Sequence, residues 1–373
     1  MPDGSNQYRG NQYRVAIVGA GGIAGHRHIP AIRAQGDRIE VVAVVDVDGD
    51  RAAAFAAEHG VARHYTDLDA MLAADRPDLA IVCTPPVAHH AGVRACLEAG
   101  AWVWCEKPPV LSLAEYDALA ALEREGGPYA GYVFQHRFGS AARRLRAQIA
   151  DGTLGRPLVG VCHTLWYRDH AYFEVPWRGK WETEGGGPTM GHGIHQMDLM
   201  LSLLGDWREV RALMGTLDRR VETEDVSLAA VRFESGALVS VVNSVLSPRE
   251  ESYLRFDFTD ATVEVSHLYG YGNSDWRWTP RKGVTDTGWL PTDDVDSSHT
   301  AQLTHYLDAM DRRERPPASG ADGRRSMELI TGLYRSAITG QPVLRTELAP
   351  GDPFYDRLDG GGRYQPDSVE VAR

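Results

Sequence analysis

The chain has 373 residues, 43% apolar and 24% charged, with a net charge of −12; that length and apolar content suit two cores better than one small one. No apolar run approaches the roughly 20 residues that cross a bilayer, and residues 1–12 are polar with no secretion-signal core, so a membrane role is set aside and these residues read as a loose tail. The basic residues are scattered in an acidic chain, which excludes nucleic acid as a partner, and Cys83, Cys96, Cys105 and Cys162 show no paired spacing, so they read as buried thiols of a cytoplasmic protein rather than a disulfide frame or zinc site.

From Arg14 to Val133, short β-branched runs alternate with amphipathic segments, the pattern of βαβ units around a parallel sheet. Strands are predicted at Arg14–Val18, Glu40–Val45, Leu79–Cys83, Trp102–Cys105 and Tyr129–Val133. Helices are predicted at Ile23–Gln35, Gly49–His59, Asp67–Ala73, Ala88–Ala99 and Leu113–Glu125, several closed by a glycine such as Gly36, Gly60, Gly100 or Gly126. Residues 13–133 therefore read as an α/β, doubly wound Rossmann domain.

Beyond Gln135 the texture becomes α+β. A helix near Ala141–Ala150 and a strand at Leu158–Leu165 precede an aromatic loop, and alternating runs follow at Val226–Phe233, Leu238–Ser244, Tyr253–Phe258 and Thr262–His267. Their tight reversals predict an antiparallel sheet. Residues Leu268 to Ser297, rich in glycine and proline, read as long surface loops, and helices at Ser298–Arg313 and Asp322–Thr339 close a second domain over 134–345. Residues 346–373, with Asp359-Gly360-Gly361-Gly362, read as a flexible tail.

The first strand runs into Gly19-x-Gly21-x-x-Ala24. One glycine there allows the turn, the next lets a pyrophosphate approach the backbone around Gly22 and Ile23, and the small third residue permits helix–strand contact. Asp46 ends the second strand, where a carboxylate accepts hydrogen bonds from both ribose hydroxyls of NAD. With Asp48 and Asp50 near and Arg51 the one neighbouring cation, NAD is favoured over NADP. The competing reading is that Asp46 or Asp48 caps the following helix.

Together with Thr84-Pro85, His89, Glu106-Lys107-Pro108, Arg137-Phe138, Gly185-Gly186-Gly187, Gly193-x-His195-x-x-Asp198 and Ser336-Ala337-x-x-Gly340, this turn makes the chain resemble the glucose-fructose oxidoreductase / inositol dehydrogenase / rhizopine-catabolism (Gfo/Idh/MocA) family. The resemblance implies a C-terminal domain on a large, open, mostly antiparallel sheet that pairs subunits into homodimers or homotetramers. It implies hydride transfer between NAD and a secondary alcohol or ketone of a sugar, glycoside or cyclitol. Thr84, Pro85, His89, Glu106 and Lys107 would lie on the cofactor side, with Glu106 and Lys107 at the nicotinamide and a Lys107–Pro108 bond that is often cis. Two other activities fit the same resemblance, an NAD-dependent glycoside hydrolase and a non-enzymatic NAD- and sugar-sensing regulator.

Proton transfer to or from the reacting hydroxyl falls to His195 or Lys107, with either able to be the formal base. Against this stand a core histidine at a helix start and a surface lysine paired with Glu106, although neighbouring strand-end residues point to opposite faces. Where inositol-oxidising members carry an acidic residue, this chain has Gly191, so inositol specificity is not transferred, and His192 is expected to offer a polar contact instead. A metal on His192, His195 and Asp198 lacks a fourth ligand; Asp198 reads better as an internal hydrogen-bond partner and no metal is assigned. Aromatic and arginine residues crowd positions 166–181, and Tyr167 and Arg168, just past a strand end, are the favoured substrate contacts among them.

Overall fold

The computed structural model describes residues 12–364. All of the expected N-terminal tail except Gln12 lies outside the described residues. The parallel sheet comprises β1 (Tyr13–Val18), β2 (Ile39–Val45), β3 (His64–Tyr65), β4 (Leu79–Val82), β5 (Trp102–Cys105) and β6 (Ala130–Tyr132), in the order β3-β2-β1-β4-β5-β6. Helices cover both faces, so β4 and β5 are buried throughout and read in sequence as unbroken apolar runs. Strand order reverses between β1 and β4, which leaves a crevice at their carboxyl ends.

A second, 8-stranded sheet adds β7 (Pro157–Tyr167), β8 (Trp207–Gly215), β9 (Val226–Phe233), β10 (Leu238–Ser244), β11 (Leu246–Phe258), β12 (Ala261–Ser266), β13 (Trp276–Pro280) and β14 (Val343–Leu344), ordered β13-β12-β11-β7-β10-β9-β8-β14. Its pairs are antiparallel except β10 with β7, so the sheet is mixed rather than purely antiparallel. The helix Ile194–Leu204 is buried along its whole length except Ser202, and Gly320–Thr339 packs with it over one face. The opposite face carries exposed Val159, Leu213, Leu228 and Leu238.

Several stretches fold differently from their sequence reading. β3, β8 and β14 were not anticipated, and the presumed surface loops of 268–297 contain β13 and bury Tyr271, Trp276, Trp278 and Trp289. The helix His299–Arg312, expected to close the second domain, packs on the first: Leu303, Tyr306, Leu307 and Met310 share a core with Tyr13, Val15 and Ile17, and the Tyr306 hydroxyl donates to Val103 O at 2.6 Å. In the stretch expected to be a flexible tail, Phe354, Tyr355 and Leu358 are buried, and Asp359 accepts the N–H groups of Gly361 and Gly362 at 3.0 Å. All four cysteines are buried and unpaired. Among the described residues no helix is long and apolar enough to cross a membrane.

Candidate active site

Each βα turn at the crevice delivers one part of the site. After β1, Gly19 takes φ +98° and packs so tightly that a Cβ there would stand 2.9 Å from backbone atoms of Cys83 and Thr84; only glycine meets both demands. A Cβ on Gly21 would meet nothing within 4 Å, so the backbone at the helix start is open to a phosphate. Gly22 and Ile23 are exposed there, whereas Ala24 is buried against the sheet.

At the end of β2, Asp46 accepts the N–H of Ala20 at 2.9 Å and of Asp48 at 3.0 Å, which ties the two turns together. Asp48, and not Asp46, caps the helix Gly49–His59 by accepting the Arg51 N–H. The Arg51 guanidinium bridges both carboxylates, at 3.1 Å from Asp46 and 2.9 Å from Asp48. An open phosphate approach, an aspartate at the second strand end and the buried, unpartnered Thr84 Oγ1 beside the third turn fit a dinucleotide. Pro85 is exposed at that turn. His89 departs from its expected place: it is fully buried, with ring nitrogens 2.7 Å from Pro108 O and 2.8 Å from Thr84 O. A neutral ring donates to one of these at a time. With no face left for a cofactor, His89 clamps the loops that carry Thr84 and Lys107.

Glu106 and Lys107 follow β5, and the Lys107–Pro108 bond is cis. A π-helical turn, Ala24–His28, opens the first helix and carries His28 inward, so that its Nε2 lies 2.8 Å from Glu106 Oε1; His299 Nε2 reaches the same oxygen at 3.2 Å. Burial resists ionisation of Glu106, yet the bonds from His28 and His299 outweigh it and hold the carboxyl well below its usual range. Burial lowers His28 despite Glu106, so a neutral ring donates Nε2–H to a carboxylate. These three side chains are close enough to be considered for an ion. A metal-bound histidine hands its other N–H to an acceptor, and His28 Nδ1 is buried with none, so the cluster fits a hydrogen-bonded triad better.

The Lys107 ammonium donates to Gly191 O at 2.7 Å. Burial lowers its pKa, opposed by Glu106 and Glu184 and assisted by Arg178 and Arg168. His192 and His195 come from the turn and helix beyond the glycine run, and burial followed by the charge of Lys107 lowers both well below the usual histidine value. Lys107, His192 and His195 therefore form one cluster, as the sequence suggested. Asp198 stands apart: Arg137 and Ser326 take its oxygens, which leaves none for a metal.

The aromatic segment forms one wall. Trp166 packs edge-on to His192, the Tyr172 hydroxyl lies 3.3 Å from His192 Nε2, and the Arg178 guanidinium sits 3.5 Å from the Tyr172 ring centroid. Arg168 belongs to this wall, over the rings of Trp166 and Tyr172, and pairs with Glu250 at 2.9 Å. Tyr167 does not: strand alternation turns it away from the Trp166 side, and its ring, 43% exposed, faces Arg219 instead. Tyr172, Arg178, Tyr269, His28 and His299 were not singled out from sequence. Tyr269 packs edge-on to His195 but comes from a glycine-rich stretch with no periodic signal, and His299 is 193 positions from Glu106.

A lysine of reduced basicity beside two neutral histidines, at the open end of a dinucleotide-binding sheet, is the equipment of a nicotinamide-dependent oxidoreductase. The chain belongs to the Gfo/Idh/MocA family: residues 13–132 match its oxidoreductase domain with an NAD-binding Rossmann fold, and residues 142–266 match a GFO/IDH/MocA C-terminal domain. The D-glucoside 3-dehydrogenase of Escherichia coli (strain K12) is 28% identical over 355 residues, 88% of this chain and 97% of that one. The myo-inositol 2-dehydrogenase of Thermotoga maritima is 28% identical over 346 residues, 86% of this chain and 94% of that one. The WlbA dehydrogenase of Bordetella pertussis, solved with NADH and UDP-GlcNAcA, superposes with a TM-score of 0.80 at 28% identity, covering 89% of this chain and 98% of that one.

Proposed function

We propose that this oxidoreductase transfers a hydride between NAD and a secondary hydroxyl or ketone of a sugar, glycoside or cyclitol, with Lys107 as the proton-transfer group. The observation that carries this reading is the seat of Lys107: half-buried, lowered in pKa, on the Gly191 carbonyl and beside His195. A general base works best with a pKa near the working pH, and burial moves a lysine in that direction while it moves His195 further away. As its neutral amine, Lys107 then takes the hydroxyl proton in oxidation, and as the ammonium it returns the proton in reduction. His195 stays neutral and hydrogen-bonds the substrate. Tyr172, Arg178 and Arg168 offer ring faces and N–H donors to the rest of a polyol.

Bound NAD supplies the acceptor for the hydride leaving the carbinol carbon. The backbone of Gly21, Gly22 and Ile23 would hold its pyrophosphate and Asp46 its adenosine ribose. Arg51 is already neutralised by Asp46 and Asp48, which supports NAD over NADP. The apolar row Val159, Leu213, Leu228 and Leu238 supports pairing of subunits through the second sheet. A screen of sugars, glycosides and cyclitols for NADH formation tests the reading. Lys107→Ala and His195→Ala should each suppress turnover by a factor on the order of 100 or more at nearly unchanged NAD affinity; parental turnover in Lys107→Ala defeats the assignment.

A further inference from the structure

Glu184 ends the short helix Trp181–Glu184, immediately before the glycine run, and is 5% exposed. Its Oε2 accepts the Gly179 N–H at 2.6 Å. Its Oε1 points at Gly191: a Cβ built on that glycine would stand 3.4 Å from this oxygen, with no other contact within 4 Å. The same Gly191 receives the Lys107 ammonium on its carbonyl. Gly191 thus separates an amine from a carboxylate, and its lack of a side chain leaves the carboxylate room.

We propose that Glu184 is the positioning residue for Lys107, its carboxylate setting the charge of that lysine across Gly191 from space that a side chain at 191 would otherwise occupy. The proposal rests on the reading of Lys107 as the proton-transfer group. Glu184 and Lys107 each shift the other: the carboxylate raises the lysine's proton affinity, and the lysine helps offset burial, which pushes Glu184 up to about 7. The other groups facing Glu184 are Arg178, which favours its ionised form, Glu224, which opposes it, and the buried Tyr334 phenol. Those facing Lys107 are Glu106, which raises it, and Arg178 and Arg168, which lower it, with the neutral rings of His192 and His195 alongside. Near neutral pH, Glu184 therefore changes its charge while Glu106 stays ionised.

The test is the pH profile of kcat/KM for the parent, Glu184→Gln, Gly191→Asp and the double variant, with NAD affinity as a control for folding. Glutamine keeps an acceptor for the Gly179 N–H. Loss of an opposite charge beside Lys107 should move the limb governed by that lysine to lower pH by about 1 unit, in kcat more than in KM. Gly191→Asp in the Glu184→Gln background restores a carboxylate to the same space and should return the limb. In the parent background it adds a second carboxylate and should move the limb the other way. A Glu184→Gln profile that superimposes on the parental one overturns the proposal, as does a Gly191→Asp substitution that fails to raise the limb in the Glu184→Gln background. Should Glu184→Gln fail to bind NAD, Gly191→Asp alone decides by moving the limb up or leaving it in place. Lys107→Met separates the two levels: parental turnover there refutes the proton-transfer reading itself, whereas an inactive Lys107→Met with an unmoved Glu184→Gln profile refutes only the role of Glu184.

Discussion

Replacing Lys107 by methionine separates stability from chemistry. The side chain keeps nearly its length and loses its amine. Loss of positioned proton transfer costs about 100- to 10,000-fold in rate, or about 3–5 kcal/mol of transition-state stabilisation. On the stability side, the hydrogen bond to Gly191 O at 2.7 Å disappears, a loss of about 1 kcal/mol. Against that, burial disfavours the ammonium, as its lowered pKa records, and methionine removes the penalty. The two nearly cancel, so the variant should unfold within about 1 kcal/mol of the parent. Steady-state NADH formation, NAD titration by calorimetry and urea unfolding on one preparation would measure all three. A variant that loses activity only because it unfolds, or that loses NAD binding in proportion to turnover, would refute the assignment of Lys107 to the reacting oxygen.

Gly19→Ala forces a Cβ to within 2.9 Å of the Cys83–Thr84 backbone at φ +98°; strained backbone of this kind costs about 1–3 kcal/mol, and NAD affinity should fall because the turn must shift. Unchanged affinity in calorimetry would show that the turn is not a cofactor cradle. Asp46→Ala should weaken NAD and release Arg51 from one of its two carboxylates, so the NADP-to-NAD affinity ratio rises; an unchanged ratio counts against Asp46 as the ribose acceptor. Glu184 has a folded pKa of about 7 against an ordinary 4.5, so the folded state holds an extra proton between those values and stability falls as pH rises through that window. Glu184→Gln should therefore gain nothing at pH ~4 and up to about 3 kcal/mol at pH ~8, read from urea midpoints; an equal gain at both pH values would contradict the burial argument.

Apart from the two-residue β3, the parallel sheet was legible because Val15–Val18, Val41–Val45, Leu79–Val82 and Trp102–Cys105 are unbroken apolar runs alternating with amphipathic segments, a signal local to a few residues. β8 escaped because only Trp207 and Val210 of its nine residues are buried, and arginines at 208 and 211 break the pattern. Trp276 and Trp278 do alternate in β13, but the surrounding glycines and prolines read as loop. In the site, Lys107, His192 and His195 are readable as candidates because a strand end and the glycine run flag them. Tyr167 reads as a better candidate than Tyr172 since sequence marks a strand end but not which side chain the pleat turns inward. Glu184 sits seven positions before Gly191 at the end of a helix of only four residues, too short for any periodicity to report that its side chain folds back.

The helix His299–Arg312 gives the cofactor domain a discontinuous chain. Val133, Leu303, Tyr306 and Met310 lie in one core, and His299 closes the ring around Glu106. On the ribosome, then, the stretch ending at Val133 emerges with one flank of its sheet uncovered and waits for residue 312, 179 residues later (312 − 133). At translation rates of about 5–20 residues per second, that wait is roughly 10–40 s. The nucleotide-binding half, although made first, can be completed only after most of the second sheet has been synthesised.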